Sequence, residues 1–127
     1  MLHHISFAVA DLERAAAFYD AALGALGYVR SWTDATAIGY GLPAGGGDRF
    51  AIKQRSDEFP VPGPGFHLAF AAPDPHSVDA FHRVALRSGG TDNGRPGWRP
   101  EYGPGYYAAF VLDPDGYRIE AVVITSD

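Results

Sequence analysis

The sequence predicts an α+β domain made of two tandem βαβββ modules, and an internal repeat is the main reason. When the chain is shifted by 63 positions, residues 4–27 align with residues 67–90 without a gap, and nine of the 24 pairs are identical. A repeat of this length indicates a duplicated structural unit. The whole chain has 127 residues, which fits a single domain. We therefore predict module one at 1–54, a linker at 55–65 and module two at 66–127.

The first module begins with a strand that has one bulky and one small face. Alternation places Ile5, Phe7 and Val9 on the bulky face and His4, Ser6 and Ala8 on the small one. Asp11 is a suitable N-cap for a helix that Gly27 is placed to end. Three short strands are predicted to complete the module, at residues 28–33, 35–40 and 49–54.

The second module repeats this order after a proline-rich linker. Its first strand carries His67 on the small face, and Asp74 followed by Pro75 predicts the start of a helix reaching Gly89-Gly90. Residues 91–105 are rich in Gly and Pro, so we predict a weak strand followed by a long loop. The last two strands are predicted at residues 106–112 and 117–124.

The small faces predict a metal site. Each helix should cover one face of its sheet, which leaves the faces with His4 and His67 free to line a shared concavity. We therefore predict one cupped, mixed sheet with the helices on its outside. Glu120 lies within an apolar strand, where an unpaired carboxylate is costly to bury. Two imidazoles and one carboxylate form a ligand set for a divalent metal ion. Without sulfur ligands, this set suits Fe, Mn, Ni, Co or Zn without distinguishing among them.

Composition excludes several other classes of protein. The net charge is −5 and the basic residues are scattered, so nucleic-acid binding has no electrostatic support. The absence of cysteine excludes disulfides, thiolate metal sites and cysteine nucleophiles. No apolar run is long enough to span a bilayer and no signal peptide is visible, so a cytoplasmic location without membrane partners is expected.

The paired modules resemble the vicinal oxygen chelate superfamily, which includes glyoxalase I, extradiol dioxygenases and the fosfomycin- and bleomycin-resistance proteins. The resemblance is carried by His4 before Asp11-Leu12, by His67 in Gly-Phe-His-Leu-Ala-Phe, and by residues 110–120, which read Phe-Val-Leu-Asp-Pro-Asp-Gly-Tyr-Arg-Ile-Glu. It implies that His4, His67 and Glu120 bind the metal, that the substrate chelates this metal through two neighbouring oxygens, and that the chain forms a homodimer. The metal would stabilise an enediolate or similar oxyanion, or activate oxygen if it is iron.

Two departures argue against the glutathione-dependent glyoxalase I. Such enzymes usually take a fourth, carboxylate ligand from the last strand of the first module, where this chain has Ala51, Ile52, Lys53 and Gln54. They also tend to carry an arginine four residues after the first histidine, where this chain has Ala8. Extradiol dioxygenases need an additional acid–base histidine, which residues 91–105 lack. A lyase, isomerase or dioxygenase outside these standard types remains the expectation.

Aromatic and basic residues near the second module are further candidates for the site. Tyr102 or Tyr107 is the expected proton handler, and Arg99, Trp98 and Tyr106 are expected to contact the small-molecule substrate. The alternative is a metal-free protein that sequesters small molecules, as bleomycin-resistance proteins do, and a third possibility is a scaffold without activity. The sequence leaves open whether the two histidines meet within one chain or across two.

Overall fold

The computed structural model describes residues 1–126 and confirms the predicted fold class. Module one contains β1 (Ile5–Val9), α1 (Leu12–Gly24), β2 (Val29–Thr33), β3 (Ala37–Gly41) and β4 (Phe50–Gln54). Module two contains β5 (Leu68–Ala71), α2 (Pro75–Arg87), β6 (Thr91–Trp98), β7 (Tyr106–Leu112) and β8 (Arg118–Ile124), with a 3₁₀ turn at Pro100–Tyr102. No helix among these residues is long and apolar enough to cross a membrane.

Each module forms its own four-stranded mixed sheet. The strand orders are β1-β4-β3-β2 and β5-β8-β7-β6, so the first strand of each module lies at a sheet edge. In both sheets this edge strand is parallel to the last strand of its module, and the other pairs are antiparallel. The same order in both sheets is what a duplicated βαβββ unit predicts.

The helices begin where the sequence predicted and end a few residues earlier. The carboxylates of Asp11 and Asp74 each accept a hydrogen bond from the backbone N–H three residues later, which caps α1 and α2. The helix α1 ends at Gly24, and the chain reverses at Gly27, whose φ of 93° favours glycine.

One hydrophobic core joins the two modules, and it lies on the helix-covered faces of the sheets. Phe7 and Val9 are buried, as the alternation in β1 predicted. The ring of Phe7 stacks on that of Tyr117 with centroids 4.1 Å apart, and Phe50 meets Phe70 edge to face at 5.2 Å. Since these four rings are on helix-covered faces, the opposite faces of both sheets point away from the shared core.

A buried carboxylate fixes the turn between β7 and β8 against module one. Asp113 accepts hydrogen bonds from the hydroxyl of Tyr19 and from the backbone N–H groups of Asp115 and Tyr117. The next carboxylate, Asp115, pairs with Arg14 at 3.1 Å. Burial raises the pKa of Asp113 above its usual value, although its hydrogen bonds act in the opposite direction.

The strand β6 differs from the sequence prediction, which gave a weak strand and a long loop. It runs for eight residues despite its glycines and proline, with irregular pairing to β7 around Gly94 and Gly97. As an edge strand, β6 needs hydrogen bonds on one side only and therefore tolerates Pro96. At Gly94 the φ is 149° and a Cβ atom would lie 2.9 Å from the ring of Phe110, so this position favours glycine.

We expect the buried Asp113 to make stability depend on pH. Because its pKa is raised in the folded chain, the folded state keeps this proton to a higher pH than the unfolded state does. The free energy of unfolding of the wild type, relative to Asp113→Asn, should therefore fall as pH rises from the unfolded-state pKa of about 3.9 through the raised value. Urea denaturation between pH 4 and 7 measures this difference.

The control for this experiment is Asp57→Asn, which removes a carboxylate from the exposed linker and matches the change in net charge. A wild-type advantage over Asp113→Asn that grows with rising pH would contradict the expected sign.

Candidate functional site

The centre of the candidate site is a contact between His67 and Glu120. The His67 Nε2 atom lies 2.9 Å from Oε1 of Glu120. The Glu120 side chain is only 1% exposed, whereas that of His67 is 52% exposed. The position of Glu120 follows from the sheet register, because it sits on the central strand β8 between Ala69 and Phe110. The pair therefore combines a buried carboxylate with an imidazole open to solvent.

Tyr106 provides the second contact of the buried carboxylate. Its hydroxyl donates a hydrogen bond of 2.6 Å to Oε2 of Glu120. Burial and this carboxylate raise the pKa of Tyr106 to about 12, so the hydroxyl keeps its proton at neutral pH. Both oxygens of Glu120 thus have a polar partner, His67 just before β5 and Tyr106 in β7.

Aromatic and basic groups surround this pair on the same face of the sheet. The ring of Phe110 lies 6.3 Å from that of His67, and the Arg99 guanidinium carbon lies 5.4 Å from the Phe110 centroid. Tyr102 packs edge to face on Tyr106 with centroids 5.3 Å apart, and 60% of Tyr102 is exposed. Of the predicted site residues, the structure thus gathers His67, Glu120, Tyr106, Arg99 and Tyr102.

Trp98 and Tyr107 lie elsewhere, which corrects their predicted place in the site. Their rings pack together at 4.9 Å, and the Tyr107 hydroxyl donates to Asp79 of α2 at 2.7 Å. The physical reason is strand alternation, since neighbouring residues of β7 point to opposite faces of the sheet and Tyr106 occupies the site face. Tyr107 therefore points to the helix-covered face and cannot handle a proton at Glu120 in this conformation.

The third predicted ligand, His4, is also not beside the pair. Within residues 1–126, no group of three or more His, Cys, Asp or Glu side chains lies close enough to hold a metal ion. His4 is exposed and its Nδ1 lies 2.8 Å from Nδ1 of His3. His4 lines a cavity between the modules together with Ala69 and Ala71, whereas His67 and Glu120 do not line it. One chain therefore brings together two of the three predicted ligands.

Lys53 is a polar residue on the small face that the sequence analysis did not select. It pairs with Ala8 across β1 and β4, so it shares the face that continues to His4. Its signal in the sequence is a cation directly after the buried Phe50–Ile52 segment. The adjacent Gln54 instead accepts a hydrogen bond from the Leu12 N–H at 2.8 Å and so supports the start of α1.

The chemistry of the His67–Glu120 pair is compatible with metal binding. Adjacent ligand atoms around an octahedral ion with bonds of about 2.1 Å lie about 3 Å apart. The observed 2.9 Å between Nε2 and Oε1 matches this spacing, so both atoms can contact one ion without moving apart. Imidazole nitrogen and carboxylate oxygen are also the donors that the predicted divalent metals accept.

Two βαβββ modules, the second with a His–Glu pair on one face of its sheet, define a two-module α+β domain of the glyoxalase type. The family model described as the Glyoxalase/Bleomycin resistance protein/Dioxygenase superfamily matches residues 1–121. The chain belongs to this superfamily, as its sequence resemblance implied. No curated protein matches the chain.

Solved structures support the same assignment. A glyoxalase/bleomycin resistance protein from Albidiferax ferrireducens is 37% identical, with a TM-score of 0.78 over 94% of each chain. A glyoxalase/bleomycin resistance protein/dioxygenase family enzyme from Burkholderia phytofirmans is 19% identical, with a TM-score of 0.72 over 98% of each chain. A glyoxalase-related enzyme from Fulvimarina pelagi is 21% identical, with a TM-score of 0.73 over 96% of this chain and 86% of the other. The last two show similarity of fold alone.

We expect Tyr106→Phe to destabilise the folded chain by about 1–3 kcal/mol, because it leaves a buried carboxylate oxygen of Glu120 without a donor. Tyr107→Phe is the matched control, since it also removes one hydroxyl from β7 but leaves the partially exposed Asp79 accessible to water. Its expected cost is below about 1 kcal/mol. Urea denaturation of both variants measures the difference, and equal costs would contradict the importance assigned to the Glu120 contact.

Proposed function

We propose that this protein is a metal-dependent enzyme that acts, as a homodimer, on a small molecule chelating a divalent metal through two neighbouring oxygens. In this proposal the metal is held by His67 and Glu120 of one chain and by His4 of the partner subunit. The observation that carries the proposal is the 2.9 Å contact between an exposed imidazole and a buried carboxylate, both able to bind one ion.

The exposure of the small faces supports a site shared between chains. Ser6 of β1 and Ala69 and Ala71 of β5 are exposed on these faces, which point away from the shared core. A symmetric dimer can bring module one of each chain against module two of the other, forming two equivalent sites. Such an arrangement would supply the histidine that a single chain leaves apart from the pair.

The chain's own residues have distinct roles in this proposal. A bound divalent cation would act as a Lewis acid on the substrate oxygens. Tyr106 holds the Glu120 carboxylate in place and keeps its proton at neutral pH. Arg99 is positioned on the same face to bind an anionic group of the substrate, and the exposed Tyr102 can cover the substrate and transfer a proton.

Lys53 bears on which reaction the site supports. It stands in the strand where glyoxalase I usually has its fourth ligand, and it brings a positive charge in place of a carboxylate. A cation there favours an anionic substrate and disfavours a fourth metal ligand. The proposal is therefore a lyase, isomerase or dioxygenase different from the glutathione-dependent glyoxalase I.

A second candidate function is metal-free binding of small molecules, as in a protein of the bleomycin-resistance type. The observation that favours it is that both oxygens of Glu120 already have partners, His67 and Tyr106. A carboxylate satisfied in this way does not require a cation to remain buried. Metal analysis separates the two candidates.

We expect protein that is loaded with Fe²⁺, Mn²⁺, Ni²⁺, Co²⁺ or Zn²⁺ and then desalted to retain at least one of these metals. The retained amount should approach about one ion per chain, or two per symmetric dimer. His67→Ala should weaken metal affinity by at least about 100-fold. Loss of a residue that only hydrogen-bonds a metal ligand typically costs about 10–100-fold, and loss of the ligand itself should cost more. His76→Ala, which removes an exposed histidine from α2, is the matched control. Retention by His67→Ala equal to that of the control would refute the metal site.

A mixing experiment tests whether two chains share the site. His4→Ala and Glu120→Gln should each lose metal binding alone, and their mixture should recover it after subunit exchange. A heterodimer contains one intact site, so the mixture should reach about a quarter of the wild-type metal content. Mass spectrometry of isotope-labelled chains confirms exchange. If the mixture recovers no metal binding although exchange is confirmed, the site lies within one chain or does not exist.

A further inference from the structure

A separate cavity of about 490 Å³ lies between the two modules, on the opposite side of β5 from β8. Neither His67 nor Glu120 lines it. Its volume is within the range of about 300–1,000 Å³ that is typical of small-molecule sites. Its apolar wall comes from both modules and consists mainly of Leu23, Tyr40, Leu42, Phe50, Leu68 and Phe70.

The tyrosines beside this cavity offer it ring carbon rather than free hydroxyl groups. The Tyr40 hydroxyl donates to Asp20 at 2.8 Å, and the Tyr28 hydroxyl donates to the Ala71 carbonyl at 2.7 Å. Phe50 and Phe70 pack edge to face along the same wall. A ligand that fills this space must therefore be largely apolar.

The edge of β5 provides free backbone groups to the cavity. The Ala72 N–H donates to Val122 of β8, and alternate residues of a strand direct their backbone groups to opposite sides. Those of Ala69 and Ala71 therefore point away from β8, and both residues line the cavity. The N–H groups of these two residues are available to an acceptor, while the Ala71 carbonyl is bound by Tyr28.

The charges that line the cavity have one sign. Arg49 lines it, is exposed, and forms no ion pair with any residue from 1 to 126. The backbone N–H and carbonyl of Arg49 are already bonded to Tyr40 and Ile5, so the guanidinium is the polar group that this residue can offer a ligand. His3 and His4 also line the cavity. No Asp or Glu lines the cavity, although the chain has a net charge of −5. An anionic headgroup is therefore favoured beside an apolar body.

We infer that this cavity binds a small amphipathic carboxylate, with its apolar chain or ring against Phe50 and Phe70 and its carboxylate at Arg49. The cavity shares neither His67 nor Glu120 with the candidate metal site, but its lining includes His4, which the proposed function assigns as the third metal ligand. It gives the protein a second small-molecule site located where the two modules meet.

The test uses three probes that share an eight-carbon chain and differ in headgroup: octanoate, 1-octanol and octylamine. Each is titrated into chelator-treated, isotope-labelled protein at pH 7, so that the result does not depend on the metal site. Octanoate should bind about tenfold more tightly than 1-octanol because of the charge-assisted contact, and octylamine should bind most weakly. The amide signals of Ala69 and Ala71 should shift more than that of Glu120.

Three variants assign the site. Arg49→Ala should weaken octanoate binding about tenfold and leave 1-octanol binding unchanged, since only the carboxylate contact is lost. The matched control Arg83→Ala removes an exposed arginine from α2 and should change octanoate binding less than about twofold. Leu42→Trp adds volume at an exposed position of the wall and should weaken both probes.

Equal affinity for octanoate and 1-octanol in the wild type would overturn the assignment of an anionic headgroup. Absence of binding, or shifts centred on Glu120 instead of Ala69 and Ala71, would overturn the site itself. A loss of octanoate binding in Arg83→Ala as large as that in Arg49→Ala would show attraction by net charge only.

Discussion

The contact between the helix-covered faces of the two sheets determines where the functional side chains of one chain can lie. The rings of Phe7 and Tyr117 stack across this contact, and the buried Asp113 fixes the adjoining turn to module one through Tyr19. Burying apolar area of this kind contributes roughly 25 cal/mol per Å², so separating the modules would cost much of the core. The small faces of both sheets consequently face outward.

This constraint explains why the sequence predicted the fold well and the site only in part. Alternation in β1 and the repeated Asp caps depend on local spacing, which the sequence contains directly. The arrangement of the two modules depends instead on which faces of their sheets meet. Both modules have the same local pattern of a bulky and a small face, so this pattern does not determine the arrangement. The prediction that His4 and His67 share a concavity assumed that the small faces converge within one chain, whereas the large rings converge instead.

The positions of Tyr106 and Tyr107 illustrate the same limit at the scale of single residues. Both were candidates because both are aromatic and adjacent in one strand, yet alternation allows only one to reach Glu120. Which one does so depends on the register of β7 against β8, where Phe110 lies opposite Glu120 and Tyr106 follows on the same face. Alternation carried from Glu120 in β8 to the facing residues of β7 would have selected Tyr106. Selecting Lys53 would have required knowing that β1 pairs in parallel with β4.

A site divided between chains would connect function to assembly in a specific way. A metal that binds only the dimer stabilises it by mass action, so occupancy would depend on both metal and protein concentration. The cost of burying Glu120 without a metal is reduced, because Tyr106 donates a hydrogen bond to one carboxylate oxygen and the His67 Nε2 atom lies 2.9 Å from the other. In the proposed site, a single chain would hold two of the ligand atoms at a spacing suitable for one ion. The third ligand would then add affinity only where two chains meet, which makes His67 and Glu120 the preformed part of the site and His4 the part that assembly controls.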